Sequence, residues 1–291
     1  MYPGPLEFRQ LIYSWYEKNG RTFPWRENID PWGIMLSEFM LQQTQTTRVE
    51  AYWKRWMAKW PKPEDVHRAG LDEVLREWSG LGYNRRGKYL KDSAGIITMD
   101  YGGKVPSNPE DLARLPGIGT YSAGAIACFA YNYPAVFIET NIRSLMLHFF
   151  FRTRETVKDK EVLPLIAETL DRENVRKWYW ALMDYGAALK KTIPNPGRKS
   201  AHYTRQSGFE GSFRQLRGSL VRTLLNEGPG NAHDLGKRLG MKAENGDIYR
   251  ALEALGRESL VAEEEGIYRI RDDSNKGRLQ QLDTPLADSW T

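Results

Sequence analysis

Cysteine is nearly absent from this chain of 291 residues, which contains only Cys128. A single thiol excludes a disulfide framework and a metal site built from several cysteines of the chain. Cys128 lies in the apolar stretch AGAIACFAY, which indicates a buried small side chain rather than a nucleophile. The sequence also lacks an apolar run of membrane-spanning length and the pattern of a signal peptide. We therefore expect a cytoplasmic protein with no membrane partner.

The alternation of polar and apolar residues that is typical of strands is absent from residues 1–191. Apolar residues recur there at helical spacing between Pro, Gly and Asn breaks, which predicts an all-α core of many short helices. Residues 192–211 are polar and basic and are interpreted as a linker. In residues 212–271, three helical segments precede two short strands around a Glu-Gly turn, which suggests a winged-helix-like module. The polar tail, 272–291, is expected to be disordered.

The composition permits a real core and a polyanionic partner. Apolar residues make up 41% and aromatic residues 12% of the chain, and the formal net charge is +5. The length suits two domains. The mildly basic charge fits a nucleic acid, although proteins without such a partner share it.

A glycine-containing turn joins two helical segments in DLARLPGIGTYSAGAI. Gly117 and Gly119 can adopt positive φ and let another backbone approach closely. The helix that begins just after the turn presents N–H groups and a positive dipole end, which suits a phosphate. We interpret this hairpin as a contact to a nucleic-acid backbone rather than as an ordinary helix connection.

Two carboxylates lie in apolar stretches, Glu38 in LSEFMLQQTQTT and Glu139 in AVFIETNIR. Burial of a carboxylate is costly, so we expect a raised pKa that suits proton transfer near neutral pH. Hydrolysis of a glycosidic bond requires two such groups, one to protonate the leaving group and one to stabilise the sugar cation. Each glutamate taken alone would be interpreted as a residue at a helix end.

Six stretches of about residues 6–191 together resemble one family: FPWR, SEFMLQQTQT, WSGLGYNRR, LPGIGTYSAGAI, IETNIR and ALMDYGAAL. They occur in the order and at the spacing of the MutY-type adenine DNA glycosylases of the endonuclease III superfamily. The resemblance implies a mainly α fold, with a helix-hairpin-helix glycosylase core of two helical subdomains. It also implies base flipping out of duplex DNA.

The resemblance implies roles for four catalytic residues. Glu38 matches the acid and base that protonates adenine N7, and Glu139 matches the catalytic aspartate, with Asn141 at the expected offset. Tyr121 stands where endonuclease III-type lyases carry a catalytic lysine. Because a tyrosine forms no Schiff base, the enzyme is expected to lack lyase activity of that kind.

The resemblance also implies DNA contacts. Gln43 and Thr44 match residues beside the opposite base, and Leu81 and Tyr83 match a loop that wedges into that strand. For the latter pair, an apolar anchor of a turn is an equal alternative. The predicted DNA-binding residues are Arg26, Gln43, Thr44, Leu81, Tyr83, Gly117, Gly119, Lys190 and Lys191.

Three departures from the family pattern are visible. Glu139 replaces an aspartate, which moves the carboxylate outward by roughly one bond length, about 1.5 Å. The cysteines of the family's iron–sulfur loop are absent, with Lys190 at the first position, so we expect no cluster and no other cofactor. The loop is instead basic, through Lys190, Lys191, Arg198, Lys199 and Arg205.

The third departure is the C-terminal module, which replaces the family's MutT-like domain. Its third helical segment, 245–260, carries two arginines and two glutamates, and its wing is acidic. An acidic wing repels phosphate, so the sequence leaves open whether this module contacts DNA or protein.

The sequence thus predicts a monofunctional DNA N-glycosylase of base excision repair, acting as a monomer in the nucleoid. Its expected partner is double-stranded DNA with a mispaired or damaged base, foremost adenine opposite guanine or 8-oxoguanine. One alternative is removal of thymine, uracil or a modified pyrimidine opposite guanine. Another is a catalytically weak DNA-binding protein that uses the same core.

Overall fold

The computed structural model describes residues 3–204, 208–241 and 246–272. Arg205 and residues 273–291 of the tail, which the sequence predicts to be disordered, lie outside the described residues. Within the described ranges, no helix is both long enough and apolar enough to cross a membrane.

The described residues form fifteen α-helices, one 3-10 helix and one antiparallel pair of strands, which confirms the predicted mainly α fold. The first seven helices are α1 (Pro5–Asn19), α2 (Pro24–Glu27), α3 (Pro31–Leu41), α4 (Thr46–Lys59), α5 (Pro63–Arg68), α6 (Leu71–Trp78) and α7 (Arg85–Asp100). The next five are α8 (Pro109–Leu112), α9 (Thr120–Tyr131), α10 (Thr140–Phe150), α11 (Asp159–Thr169) and α12 (Val175–Thr192), followed by the 3-10 helix Pro196–Lys199. The last elements are α13 (Phe213–Glu227), α14 (Ala232–Arg238), α15 (Gly246–Arg257), β1 (Val261–Glu264) and β2 (Ile267–Ile270).

Several helices begin and end where the local chemistry requires it. The Asp30 carboxylate accepts a hydrogen bond from Gly33 N at 2.7 Å, and Pro31 occupies the first position of α3. The Asn108 side chain accepts from Asp111 N at 2.9 Å at the start of α8. Such caps satisfy amide groups that have no partner inside the helix. Asn132 ends α9 in the left-handed conformation that asparagine tolerates better than most residues.

One compact unit contains residues 1–61 and 104–207. Its core centres on α12, where Trp178 is fully buried and meets the ring of Phe8 from α1 edge-on at 5.9 Å. Residues 32–40 of α3 are all buried. A helix that is buried on every face must be apolar all round, so a charged side chain on α3 lies in low-dielectric surroundings.

The other compact unit contains residues 62–103 and 208–291. The C-terminal segment has the predicted order of three helices followed by a hairpin, with Val261 paired to Ile270. Leu71 and Leu75 of α6 share an apolar core with residues of α13 and α15 such as Leu220 and Leu252. This apolar core groups residues 62–103 with the C-terminal segment. The domain boundaries given in the sequence analysis stay a prediction.

The crossing of α12 with the start of α10 generates a stability prediction. A Cβ on Gly186 would lie 2.2 Å from Asn141 O and 2.7 Å from the Asn141 carbonyl carbon. Because these are backbone atoms of a packed helix, Gly186→Ala should lower the free energy of unfolding by about 1–3 kcal/mol. The measurement is urea denaturation of the full chain.

Gly218→Ala is the matched control for this prediction. Gly218 lies within α13, and a Cβ there would meet nothing within 4 Å. Alanine favours a helix interior over glycine by about 0.8–1 kcal/mol, so this variant should be stabilised. Equal destabilisation of both variants would contradict the close approach at Gly186.

Candidate active site

Glu38 is a buried acid on α3. The residue is 6% exposed, and its carboxylate accepts a hydrogen bond from the Tyr121 hydroxyl at 3.4 Å. Burial, reinforced by the negative charge of Glu139, raises the pKa of Glu38 to about 7, although the Tyr121 hydrogen bond and the charge of Arg26 oppose the rise. Desolvation penalises the charged form of a carboxyl group, and a second carboxylate adds to that penalty. Glu38 can therefore carry a proton near neutral pH, as the sequence predicts.

Glu139 is the N-cap residue of α10. Its Oε1 accepts hydrogen bonds from Asn141 N at 2.6 Å and from Ile142 N at 2.8 Å. Its Oε2 accepts from Asn141 Nδ2 at 3.3 Å. Glutamate is not among the preferred N-cap residues, but a helix N-terminus favours a negative charge. Burial raises the pKa of Glu139, and these backbone hydrogen bonds and the charge of Lys190 oppose that rise.

Lys190, near the end of α12, contacts this site. Its Nζ donates to Asn141 Oδ1 at 2.9 Å, so one asparagine side chain joins Lys190 to Glu139. Burial lowers the pKa of Lys190, although the negative charge of Glu139 opposes the change. The sequence predicts a DNA contact for Lys190 and Lys191. In the structure Lys190 holds Asn141, whereas Lys191 is exposed.

Tyr121 lies at the second position of α9, directly after the hairpin. Its ring meets Phe137 edge-on at 5.7 Å, which orients the hydroxyl toward Glu38. Burial and the charges of Glu38 and Glu139 raise the pKa of Tyr121 well above its ordinary value. The hydroxyl therefore keeps its proton at neutral pH and acts as a hydrogen-bond donor.

The four predicted catalytic residues line one cavity of about 320 Å³. This volume falls in the range of pockets that hold small molecules or bases. The two carboxylates and Asn141 are among its polar lining residues, and Phe23 and Trp25, whose ring centres are 5.0 Å apart in a stacked pair, are among its aromatic ones. Its other lining residues are Arg21, Arg26, Ile34, Ser37, Leu41, Gln42, Thr44, Thr46, Phe129, Trp180 and Met183.

Asp184 fixes the segment FPWR against α12. This carboxylate is 2% exposed and accepts hydrogen bonds from Arg21 at 2.6 Å and from Arg26 at 2.9 Å. Burial alone would raise the pKa of Asp184, but the hydrogen bonds and charges of Arg26 and Arg21 hold it below its ordinary value. Paired charges of this kind are stable inside a protein only when both are well hydrogen-bonded.

The sequence patterns did not predict the ion pair between Arg26 and Asp184. Arg26, a predicted DNA contact, has a side chain only 7% exposed and lies over Trp180 in the cavity wall. Asp184 was not singled out, although a lone aspartate in the apolar helical stretch ALMDYGAAL is the signal that could have identified it.

The hairpin between α8 and α9 has two different glycines. Gly117 has φ of +78°, which favours glycine, as expected. Gly119 has φ of −89°, so this glycine does not adopt the positive φ that is open to it. Gly119 is instead the N-cap of α9, where no side chain forms a cap and a Cβ would meet nothing within 4 Å. The open N-terminus of α9 still fits a phosphate.

The remaining predicted DNA contacts lie in two turns. Gln43 is exposed with φ of +57° in the turn after α3, and the neighbouring Thr44 lines the cavity. Between α6 and α7, Leu81 is only 4% exposed, whereas Tyr83 is 37% exposed with φ of +50°. Leu81 thus has the burial of a turn anchor, and the DNA contact of Tyr83 stays a prediction.

Hydrogen bonds and a β-bridge between protein groups hold the segment after α12 in place. The Asn195 side chain accepts from Gly197 N at 2.9 Å and caps the 3-10 helix. Val157 and Ser200 form a β-bridge, and Lys199 Nζ donates to Arg152 O at 2.7 Å. One cysteine, buried in α9, cannot supply the four thiolates of an iron–sulfur cluster. These residues do not fit that group.

Comparisons with known proteins agree with this geometry. Residues 36–170 match the family model described as HhH-GPD superfamily base excision DNA repair protein. Adenine DNA glycosylase of Mycobacterium tuberculosis is 35% identical over 233 residues, covering 73% of this chain and 77% of that protein. Adenine DNA glycosylase of Mycolicibacterium smegmatis is 38% identical over 230 residues, covering 73% and 78% respectively.

Solved structures share the fold. A thermostable thymine-DNA glycosylase has a TM-score of 0.56 and 25% identity, covering 63% of this chain and 86% of that one. A trapped endonuclease III–DNA covalent intermediate has a TM-score of 0.55 at 18% identity, covering 66% and 94%. Because relatives at least 35% identical match over most of their length, this chain belongs to the helix-hairpin-helix superfamily of base excision DNA repair proteins, in its adenine DNA glycosylase family.

Proposed function

We propose that this protein is a monofunctional DNA N-glycosylase that removes adenine mispaired with guanine or 8-oxoguanine from double-stranded DNA. The observation that carries the proposal is the pair of carboxylates at one cavity. Burial raises the pKa of both, to about 7 for Glu38, whereas the amides of α10 and the charge of Lys190 oppose the rise at Glu139, so we infer that Glu139 is the group that stays ionised. Two carboxyl groups in different protonation states are what hydrolysis of a glycosidic bond requires.

The reaction can be assigned to these residues atom by atom. Glu38 gives its proton to adenine N7 as the C1′–N9 bond breaks and its electron pair leaves with the base. The Glu139 carboxylate stabilises the positive charge that develops on the sugar. Water then adds to C1′ and returns a proton to Glu38, which restores the starting state. The flat walls of Phe23 and Trp25 suit a planar base outside the helix stack.

The other functions that the sequence left open are less well supported. The thymine-DNA glycosylase shares 25% identity with this chain, against 35–38% for adenine DNA glycosylases of comparable coverage. A DNA-binding protein without catalysis would have no need to bury Glu38 beside Tyr121. We also propose that the protein works without a cofactor, since the segment after α12 is held by its own hydrogen bonds. Action on the nucleoid as a monomer is part of the same proposal.

Base release from defined duplexes tests the proposal. Labelled duplexes with adenine opposite guanine, adenine opposite 8-oxoguanine, thymine or uracil opposite guanine, and matched pairs are incubated with the protein. Strand breaks should appear only after alkali treatment, because Tyr121 forms no Schiff base, and only with the adenine mispairs. Glu38→Gln should slow release by roughly 10²–10⁴-fold while leaving duplex binding intact. Breakage at thymine or uracil would instead support the pyrimidine alternative.

The pH dependence of base release follows from the proton on Glu38. The acid form is lost as pH rises through its pKa of about 7, so the single-turnover rate should decline above neutrality. The Tyr121 hydrogen bond lowers this pKa, so Tyr121→Phe should raise it and move the decline to higher pH. Tyr131→Phe, at the other end of α9 and outside the cavity, is the control and should keep the wild-type profile. A profile of Tyr121→Phe that matches wild type would refute this assignment.

Lys190 leads to a second prediction, in which base release is lost on the acid side of neutrality instead of the alkaline side. Its charge lowers the pKa of Glu139, so Lys190→Met should raise that pKa and protonate Glu139 more readily. Since the mechanism needs ionised Glu139, base release should fall several-fold more on the acid side of neutrality than on the alkaline side. Lys190→Arg, which keeps the charge, and Lys191→Met, which changes an exposed neighbour, are the controls. A loss that is uniform across pH would indicate a purely structural role for Lys190.

A further inference from the structure

Three side chains of the unit that contains residues 62–103 and 208–291 form an aromatic–arginine cluster, consisting of Tyr83, Phe209 and Arg214. Arg214 Nη1 donates to the Tyr83 hydroxyl at 2.6 Å. The Arg214 guanidinium carbon lies 5.3 Å from the centre of the Tyr83 ring and 5.4 Å from that of Phe209. A C-terminal residue thus contacts the loop between α6 and α7 that the sequence predicts to touch DNA.

The rings of the cluster are exposed although they are held in place. Phe209 is 58% exposed and Tyr83 is 37% exposed. Tyr83 keeps a positive φ of +50°, a conformation that costs a tyrosine free energy, and its carbonyl accepts from Arg86 N at 2.8 Å. Exposed aromatic rings beside an arginine in a strained, fixed loop are typical of a binding surface rather than of a core.

The charges around the cluster favour an anion. Arg85 and Arg86 follow Tyr83 in the chain, and Arg217 lies one turn after Arg214 on α13. Glu258 accepts hydrogen bonds from Arg85 and Arg217, and Glu210 is the other acid in the segment that holds Phe209. Arg86 is buried and donates to Leu81 O and Gly82 O, so the three remaining arginines stand against two carboxylates and leave this region positive.

On α15, in contrast, the arginines are paired with acids of the same helix. Arg250 pairs with Asp247 at 3.0 Å, and Arg257 pairs with Glu253 at 3.4 Å on the same helix. Three successive glutamates, residues 263–265, form the end of β1 and the turn after it. A phosphate backbone is attracted to unbalanced positive charge and repelled by such an acidic turn.

We propose that Arg214 and Phe209 extend to the C-terminal segment the DNA contact that the resemblance implies for Tyr83, with Arg214 on a backbone phosphate and the ring of Phe209 against a base or sugar. Arginine matches phosphate geometry through its planar fork, and aromatic faces stack on bases without regard to sequence. The C-terminal segment therefore contacts DNA through the start of α13 and not through α15. The inference rests on the proposed function only for duplex DNA as the partner.

Equilibrium binding to a duplex with an adenine mispair tests the proposal. The full chain with Glu38→Gln is used throughout so that no base is released during the titration, and binding is followed by fluorescence anisotropy at several salt concentrations. If Arg214 contacts one phosphate, Arg214→Ala should reduce the slope of log K against log salt by about 0.9, which is about eightfold in affinity at 0.1 M salt. Phe209→Ala should weaken binding several-fold without changing the slope.

Arg222→Ala is the matched control for the charge change. Arg222 is exposed on α13 about 12 Å further along the helix axis than Arg214, at 1.5 Å per residue. The Arg222→Ala variant should have the same affinity and the same slope of log K against log salt as the Glu38→Gln parent. Arg214→Lys keeps the charge but loses the planar fork, so it should retain the slope and lose part of the affinity.

The salt slope separates a phosphate contact from a role in holding Tyr83, because only the former releases counterions. An Arg214→Ala protein that folds normally and keeps the parent's slope and affinity would overturn the proposal. Where that variant does not fold, an Arg214→Lys protein with the parent's affinity overturns it. Failure of wild type to release any base would defeat the proposed function, while the binding comparison would still decide this inference.

Discussion

The site depends on how two carboxylates of like sign are held at one cavity. The negative charge of Glu139 raises the cost of ionising Glu38, so the two groups differ in how readily each loses its proton. Glu139 accepts hydrogen bonds from two backbone amides and lies near Lys190, whereas Glu38 accepts a long hydrogen bond from Tyr121 and is affected by the charge of Arg26. Burial raises the pKa of both carboxyl groups, so it is the hydrogen bonds and charges around them that distinguish Glu139 from Glu38.

Helix α12 supplies several of the contacts that hold the residues around Glu139 in place. Its buried Trp178 anchors the helix in the core, and three further positions along it serve the site. Asp184 binds the two arginines of the cavity wall, Gly186 allows the backbone of Asn141 to approach, and Lys190 binds the side chain of the same asparagine. One rigid helix therefore sets the position of Asn141 from both its backbone and its side chain, and through Asn141 that of Glu139.

Sequence reasoning identified the parts of the site that local patterns encode. An acid in an apolar helix predicted the raised pKa of Glu38, and LPGIG predicted the turn with positive φ at Gly117. Local patterns carry less information on long cationic side chains, because their reach depends on neighbours that are distant in sequence, and the DNA contacts of Arg26 and Lys190 stay predictions. Arg26 and Lys190, both predicted to contact DNA, turn inward to Asp184 and Asn141, which are 158 and 49 positions away.

Two departures from the family pattern meet at one asparagine. The resemblance places Glu139 at the position of the family's catalytic aspartate, and Lys190 at the position of the first cysteine of its cluster loop. The longer acid folds back to reach both amides of α10 and leaves Oε2 against Asn141 Nδ2, while Lys190 occupies Asn141 Oδ1. Because an amide group can donate and accept at once, Asn141 links the two replacements into one hydrogen-bonded chain. A change at either end alters the environment of the other, so Glu139 and Lys190 are, in this structure, parts of a single arrangement.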